Sequence, residues 1–249
     1  MKYVIINADD YGLTAGVTYG ILETHLQGVV TSTTALSVGK HFDEAMQIAE
    51  KFPTLKIGIH LTLTLTNTKP LLKDKVRSLT QADGTFHQMN DVVEKVNIEE
   101  VEAEWRAQIE KFLATNITPT HIDSHHNVHV FSEELHQLAL KLAREYKLPL
   151  RNSGRDNEDV ITTATSDQSF YDEGVTLKQL DKIFSDIANA DETYFEVNCH
   201  PAFIDSDLRK QTSYLHPREL ELDLLRDPKV KDLLVKYNLE LTTFDKIKR

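Results

Sequence analysis

Residues 119–146 read PTHIDSHHNVHVFSEELHQLALKLAREY, and this stretch decides the fold class. Pro119 to Asp123 reads as a short strand that follows a helix. Residues two apart on a strand share a face, so His121, Asp123 and His125 are expected on one side. Ser132 reads as the N-cap of a helix over 132–146, in which Leu135, Leu138 and Leu142 recur at helical spacing. Strand, loop and helix in that order make one β/α unit, and folds built of such units collect their chemistry at the carboxyl ends of the strands. His121 to His129 occupies such an end and holds four of the chain's eleven histidines together with an aspartate. A loop with one or two buried, hydrogen-bonded imidazoles is the plainer reading. It does not account for four, whereas a metal site does, because imidazole is the commonest metal ligand.

Working outward, the same alternation covers the chain. Strands are expected near 3–8, 29–37, 56–64, 120–124, 148–151, 194–198 and 239–243, and helices near 14–27, 42–51, 97–115, 132–146, 176–189 and 217–237, the last broken before Pro228. Alternation of this kind gives parallel strands with right-handed crossovers. Seven strands suit an incomplete (β/α)7 TIM-like barrel, α/β in class, over residues 1–249 as a single domain. Two polar stretches break the pattern, 66–90 and 152–174. Loops of this length in a compact domain are functional or disordered, and here they read as substrate-covering loops, with Phe170 and Tyr171 as stacking surfaces. Trp105 falls on the stripe Val101, Trp105, Ile109, Phe112, which reads as core.

Other strand ends carry residues of the same chemistry. YVIINA at 3–8 is apolar enough to be buried on both faces, and it runs into Asp9-Asp10-Tyr11-Gly12. Neighbours on a strand face opposite ways, so both carboxylates serve one site only if the backbone turns there, which Gly12 eases. A turn with a helix N-cap is the alternative. KIGIHL at 56–61 ends near His60, Arg151 ends a fourth strand, and EVNCHP at 196–201 places His200 where proline stops the ladder. Cys199, the only cysteine, reads as buried filler without a disulfide partner.

Composition narrows the classes. A net charge of −11 argues against nucleic acid or an anionic membrane as the main partner, since both are bound through clustered Lys and Arg. No apolar run is long enough to span a bilayer. The single cysteine, together with an N-terminus that enters a strand at Tyr3 without a signal-peptide pattern, gives a cytoplasmic expectation.

INADDYGLTAG at 6–16, VVTSTTAL at 29–36, GIHLTLT at 58–64, THIDSHHNVHVF at 120–131 and EVNCHPAFID at 196–205 together resemble the YdjC-like carbohydrate deacetylases, in order over nearly the whole chain. The resemblance implies a hydrolase that removes acetyl groups from N-acetylated mono- or oligosaccharides of the chitooligosaccharide type. It further implies an incomplete (β/α) barrel and one divalent metal held by an Asp and two His. On this sequence the implied ligands are Asp10, His60 and His125, with Asp9 as general base. Members often show three consecutive histidines where this chain has His125-His126-Asn127, so a role for the third does not carry over. Two imidazoles and a carboxylate suit zinc better than magnesium, although magnesium is often associated with the family.

Amide cleavage needs an activated water, a stabilised oxyanion and a proton for the amine. Asp9 is expected to accept the water proton and His200 to protonate the leaving nitrogen. His121, Asp123 and His126 are expected to orient a ligand or the base, and His126 and His129 stand next in line as proton donor. Arg151 either holds Asp9 ionised or makes a structural salt bridge. A homodimer is one expectation of quaternary state. Two other classes use the same residues: a metallophosphoesterase, which needs phosphate-binding cations at the strand ends, and a catalytically inactive sugar-binding regulator.

Overall fold

A computed structural model describes residues 1–164 and 167–247. Six strands are present among them: β1 (Lys2–Tyr11), β2 (Ser32–Ala35), β3 (Lys56–Leu61), β4 (Ile122–Ser124), β5 (Tyr194–Cys199) and β6 (Leu239–Leu241). The helices are α1 (Ala15–Gln27), α2 (Phe42–Ala49), α3 (Val92–Lys95), α4 (Ile98–Leu113), α5 (Glu133–Tyr146), α6 (Leu177–Asn189), α7 (Leu208–Gln211), α8 (His216–Leu224) and α9 (Pro228–Lys236). All strand pairs are parallel, in the order β4-β3-β2-β1-β5, with β6 pairing β1 as well. The arrangement is the expected α/β barrel left incomplete.

Local sequence explains the elements. Val4, Ile5, Ile6 and Ala8 of β1 are buried, as a strand with neighbours on both sides and helices outside requires. Thr14, Asn97, Ser132 and Thr176 each accept a backbone N–H of the first turn they cap. Trp105 lies in the core with Ile109 and Phe112.

The expected strand at 148–151 is reduced to a single bridge between Leu150 and Ile122. Ile122 donates to Pro149 and Arg151 donates to Ile122, but Pro149 has no N–H of its own and the chain then leaves the ladder. The space between β4 and β5 is filled without a regular strand. Leu150 donates to Ile161, Ala164 to Tyr194 and Asp167 to Glu196, so irregular chain closes the seam.

One close approach fixes β3. A Cβ on Gly58 would lie 2.5 Å from the His121 ring and 2.8 Å from its carbonyl oxygen, so glycine is what lets β3 sit against this residue. Gly58→Ala is expected to destabilise the fold by about 1–3 kcal/mol through forced displacement of His121, as read by urea or thermal denaturation. A substitution of wild-type stability would show that β3 has slack here.

Candidate metal centre and active-site pocket

β1 does not stop at Asp9. It continues to Tyr11 through a register shift between Ala8 and Tyr11 in its pairing with β2. Asp10 itself adopts φ 76°, in the left-handed region, ahead of Gly12 at φ 84°. This bulge, more than Gly12 alone, turns both neighbouring carboxylates into one pocket.

The pocket is a cavity of about 430 Å³ at the carboxyl ends of the strands. Asp9 and Asp10 line it from β1, His60 from β3, His125 and His126 from the turn after β4, and Asn198 and His200 from β5 and its end. Tyr171, Tyr214 and Arg218 add to the wall.

Asp10 Oδ1 lies 3.0 Å from His125 Nδ1 and 3.5 Å from His60 Nε2, yet this buried oxygen accepts no hydrogen bond. The ligand atoms of Asp10, His60 and His125 all fall within 4.8 Å of one another. An unpartnered carboxylate oxygen facing two imidazoles is the donor set a divalent ion requires. His60 is aimed by its other nitrogen: Nδ1–H donates to Asp123 Oδ1 at 2.6 Å, which leaves Nε2 turned toward Asp10. Burial draws the His60 imidazole down, but Asp123 above all, then Asp10 and Asp9, outweigh it and push it up to about 10. Asp9, His60 and Asp123 form a second group of the same compactness. There Arg151 already donates to both oxygens of Asp9, at 2.8 and 2.7 Å, and lies 2.9 Å from Asp123 Oδ2. A buried guanidinium thus stands where a second cation would.

Arg151 reaches Glu196 as well, at 2.7 Å, so one cation faces three carboxylates. Burial raises the Asp9 carboxyl, but the Arg151 charge and hydrogen bonds prevail and hold it well below the usual range. Burial pushes Glu196 up to about 7 against the pull of Arg151. His200 Nε2 is 3.9 Å from Asp9 Oδ2, and burial draws its imidazole down to about 4. His126 accepts or donates at Thr64 Oγ1, 2.9 Å from its Nδ1, and burial takes it down to about 3.

Residues 3–236 match the family described as YdjC-like protein. The chain belongs to that family. A carbohydrate deacetylase of Enterococcus faecalis V583 is 43% identical over 99% of this chain and 98% of its own length, and one of Oceanobacillus iheyensis is 41% identical over 89% and 95%. A crystal structure of a candidate cellobiose-phosphate cleavage protein from E. faecalis V583 superposes with a TM-score of 0.97 at 42% identity, covering 100% of this chain and 99% of that one. A family 4 carbohydrate esterase from Streptomyces lividans, in complex with acetate, shares the fold alone, with a TM-score of 0.53 at 10% identity over 97% of this chain and 92% of that one.

In this YdjC-like chain the expected residues divide cleanly. Asp9, Asp10, His60, His125, His126, His200 and Tyr171 line the pocket, with Asp123 and Arg151 directly behind them. His121 does not reach it. It stacks on Phe244 with ring centroids 3.7 Å apart, deeper in the barrel. His129 is turned away too: its Nδ1 lies 2.6 Å from Ser124 Oγ, where it braces the turn after β4. Phe170, expected as a stacking surface, is 1% exposed and belongs to the core because the loop folds back on the barrel, so only Tyr171 faces the cavity. Of the two loops expected to cover substrate, 66–90 contributes Thr66 and Met89 and 152–174 contributes Gln168 and Tyr171; Thr165 and Ser166 lie outside the described residues.

Three residues at the pocket escaped the sequence reading. Arg218 and Glu221 stand three apart on α8 and share a helix face, and Tyr214 lies just ahead of that helix. Arg218 donates to Asp10 Oδ2 at 2.6 Å. Glu221 is fully buried, accepts the His200 backbone N–H and the Tyr214 hydroxyl, and is pushed up to about 7 by burial. Tyr214 stacks on Tyr171 at 4.2 Å, and both rings meet the His200 ring edge to face. Arg218 and Glu221 stand at helical spacing with the buried Leu222 and Leu225, which is the one signal the sequence offers, and it does not say what they meet.

Proposed function

We propose that this chain, acting as a single domain, is a metal-dependent hydrolase that removes the acetyl group of an N-acetylated sugar and releases acetate. The observation that carries the reading is the unpartnered Asp10 Oδ1, buried between His60 Nε2 and His125 Nδ1 on the floor of a pocket whose volume falls within the range of small-ligand sites. The names of the relatives at 43% and 41% identity support the same chemistry.

Asp10, His60 and His125 would hold one divalent ion, Mg2+ or Zn2+, which when bound lowers the pKa of water and polarises the acetyl oxygen. Asp123 fixes the His60 ring so that Nε2 faces the ion. Asp9 accepts the proton of the attacking water. Because Arg151 holds Asp9 well below the usual carboxylate range, the proton is readily passed on. His200, uncharged at neutral pH, lies 3.9 Å away and takes it up once the two close to hydrogen-bond distance. The imidazolium then donates to the departing sugar amine. Tyr171, exposed on one face and stacked on Tyr214, offers an apolar ring against which a sugar ring packs.

A phosphoesterase would need cations free to meet a phosphate. Arg151 and Arg218 are instead committed to Asp9, Asp123, Glu196 and Asp10. The direct test is acetate release from N,N′-diacetylchitobiose with and without a chelator. Release that a chelator stops and a divalent ion restores is expected, and binding without release would leave a sugar-binding regulator as the better reading.

His200→Ala is expected to depress hydrolysis of the sugar amide by roughly 10²–10⁴ while hardly changing that of an activated aryl acetate, whose leaving group needs no proton. The metal should remain bound. Equal losses on both substrates would assign His200 to binding or to oxyanion stabilisation. His126 would then be the next donor, since His129 does not reach the pocket.

A further inference from the structure

Arg218 is buried beside the candidate metal ligands, and the proton path from Asp9 to His200 leaves it without a part. Its guanidinium is held at three places. Nη2–H donates to Asp10 Oδ2 at 2.6 Å, Nη1–H to the His200 carbonyl at 3.3 Å and Nε–H to the Tyr214 carbonyl at 3.1 Å. The acceptor is equally constrained, because Asp10 sits in the β1 bulge at φ 76°. A carboxylate beside a divalent ion binds through one oxygen or both. Here Oδ2 is turned to the guanidinium, and Oδ1 alone faces His60 and His125.

We propose that Arg218 is a positioning residue that confines Asp10 to one-oxygen coordination, and thereby sets both the affinity for the ion and the number of coordination positions left to groups from outside the protein. The inference rests on the metal reading given above. The guanidinium geometry suits the task, since a planar fork with several donors fixes a carboxylate in a way that a single ammonium does not. Without it Oδ2 is free to swing onto the ion, occupying a position otherwise left open. Loss of a hydrogen-bond partner behind a metal ligand weakens affinity by roughly 10–100-fold.

Titration with Co2+, followed by its visible ligand-field band and by calorimetry, tests this without reference to turnover. Wild-type protein is expected to bind about one Co2+ per chain. Arg218→Met, similar in reach but without charge or donors, should bind Co2+ roughly 10–100-fold more weakly, with a less intense band as the coordination number rises. Arg218→Lys keeps one donor toward Oδ2 and loses both carbonyl bonds, so it should show a smaller change of both kinds. Near-UV circular dichroism establishes which variants are folded. If only Arg218→Lys folds, its band decides. A band unchanged from wild type in the folded variants overturns the inference, whatever the affinity, and leaves the metal reading intact. Failure of the wild-type protein to bind Co2+ overturns both.

Discussion

Alanine at Asp10, His60 or His125 is expected to abolish metal binding and deacetylation together. Each proposed ligand comes from a different strand end, β1, β3 and the turn after β4, and the neighbours that could stand in, Asp9 and His126, are already engaged by Arg151 and Thr64. Three protein ligands are also the minimum found in catalytic sites of this type, and two hold an ion far less well. Metal content after dialysis, measured beside acetate release, checks the expectation. Retention of a full complement of metal by any two of the three variants would sink the ligand assignment. The variants are not equivalent in what they leave behind. Asp10→Ala strands the buried Arg218, whereas His60→Ala strands Asp123, which still accepts from Thr34 and Arg151. Asp10→Ala is therefore expected to be the least stable of the three, because an uncompensated buried charge is costly.

Asp9→Asn should separate rate from coordination. The variant is expected to keep its metal and lose turnover by roughly 10²–10⁴, since a base contributes to the rate and not to holding the ion. Asparagine keeps the shape and one carbonyl oxygen for Arg151, and the guanidinium retains Asp123 and Glu196, so the cluster survives the change. Were Asp9→Asn to lose the metal and Asp10→Asn to keep it, the two aspartates would exchange roles.

The alternation of strands and helices was legible because each β/α unit is encoded locally, by period-two and period-3.6 patterns within about 30 residues. The strand ends that gather Asp9, Asp10, His60, His125 and His200 follow from that alternation. The bulge at Asp10 was only half legible. Gly12 announces a turn, but nothing local says that an aspartate will take positive φ, and Arg218, which meets that carboxylate, lies 208 residues away. The same distance hid α8. Read alone, 214–221 is a polar helix entry; only the assembled fold shows that Arg218 and Glu221 face inward to Asp10 and His200. His121 failed in the opposite sense. Its spacing from Asp123 is right for a shared face, but spacing does not report depth, and Phe244, from the far end of the sequence, meets it below the site. Phe170 and Tyr171 are neighbours of opposite fate, as residues in an irregular loop have no period from which to read their direction.

The seam between β4 and β5 separates two kinds of inheritance. Every residue proposed to touch the ion comes from β1, β3 or the turn after β4, at the carboxyl ends of the ladder from β4 to β1. The closing segment bears on that ladder at few points, Leu150 and Arg151 against Ile122 at one end and Ala164 and Asp167 against β5 at the other. Residues between those points can change in length without moving a strand register. A change of length within 152–164 should therefore leave the reaction centre unaltered, and the pocket wall with it, because on this side that wall is drawn from Gln168 and Tyr171, which lie beyond the segment.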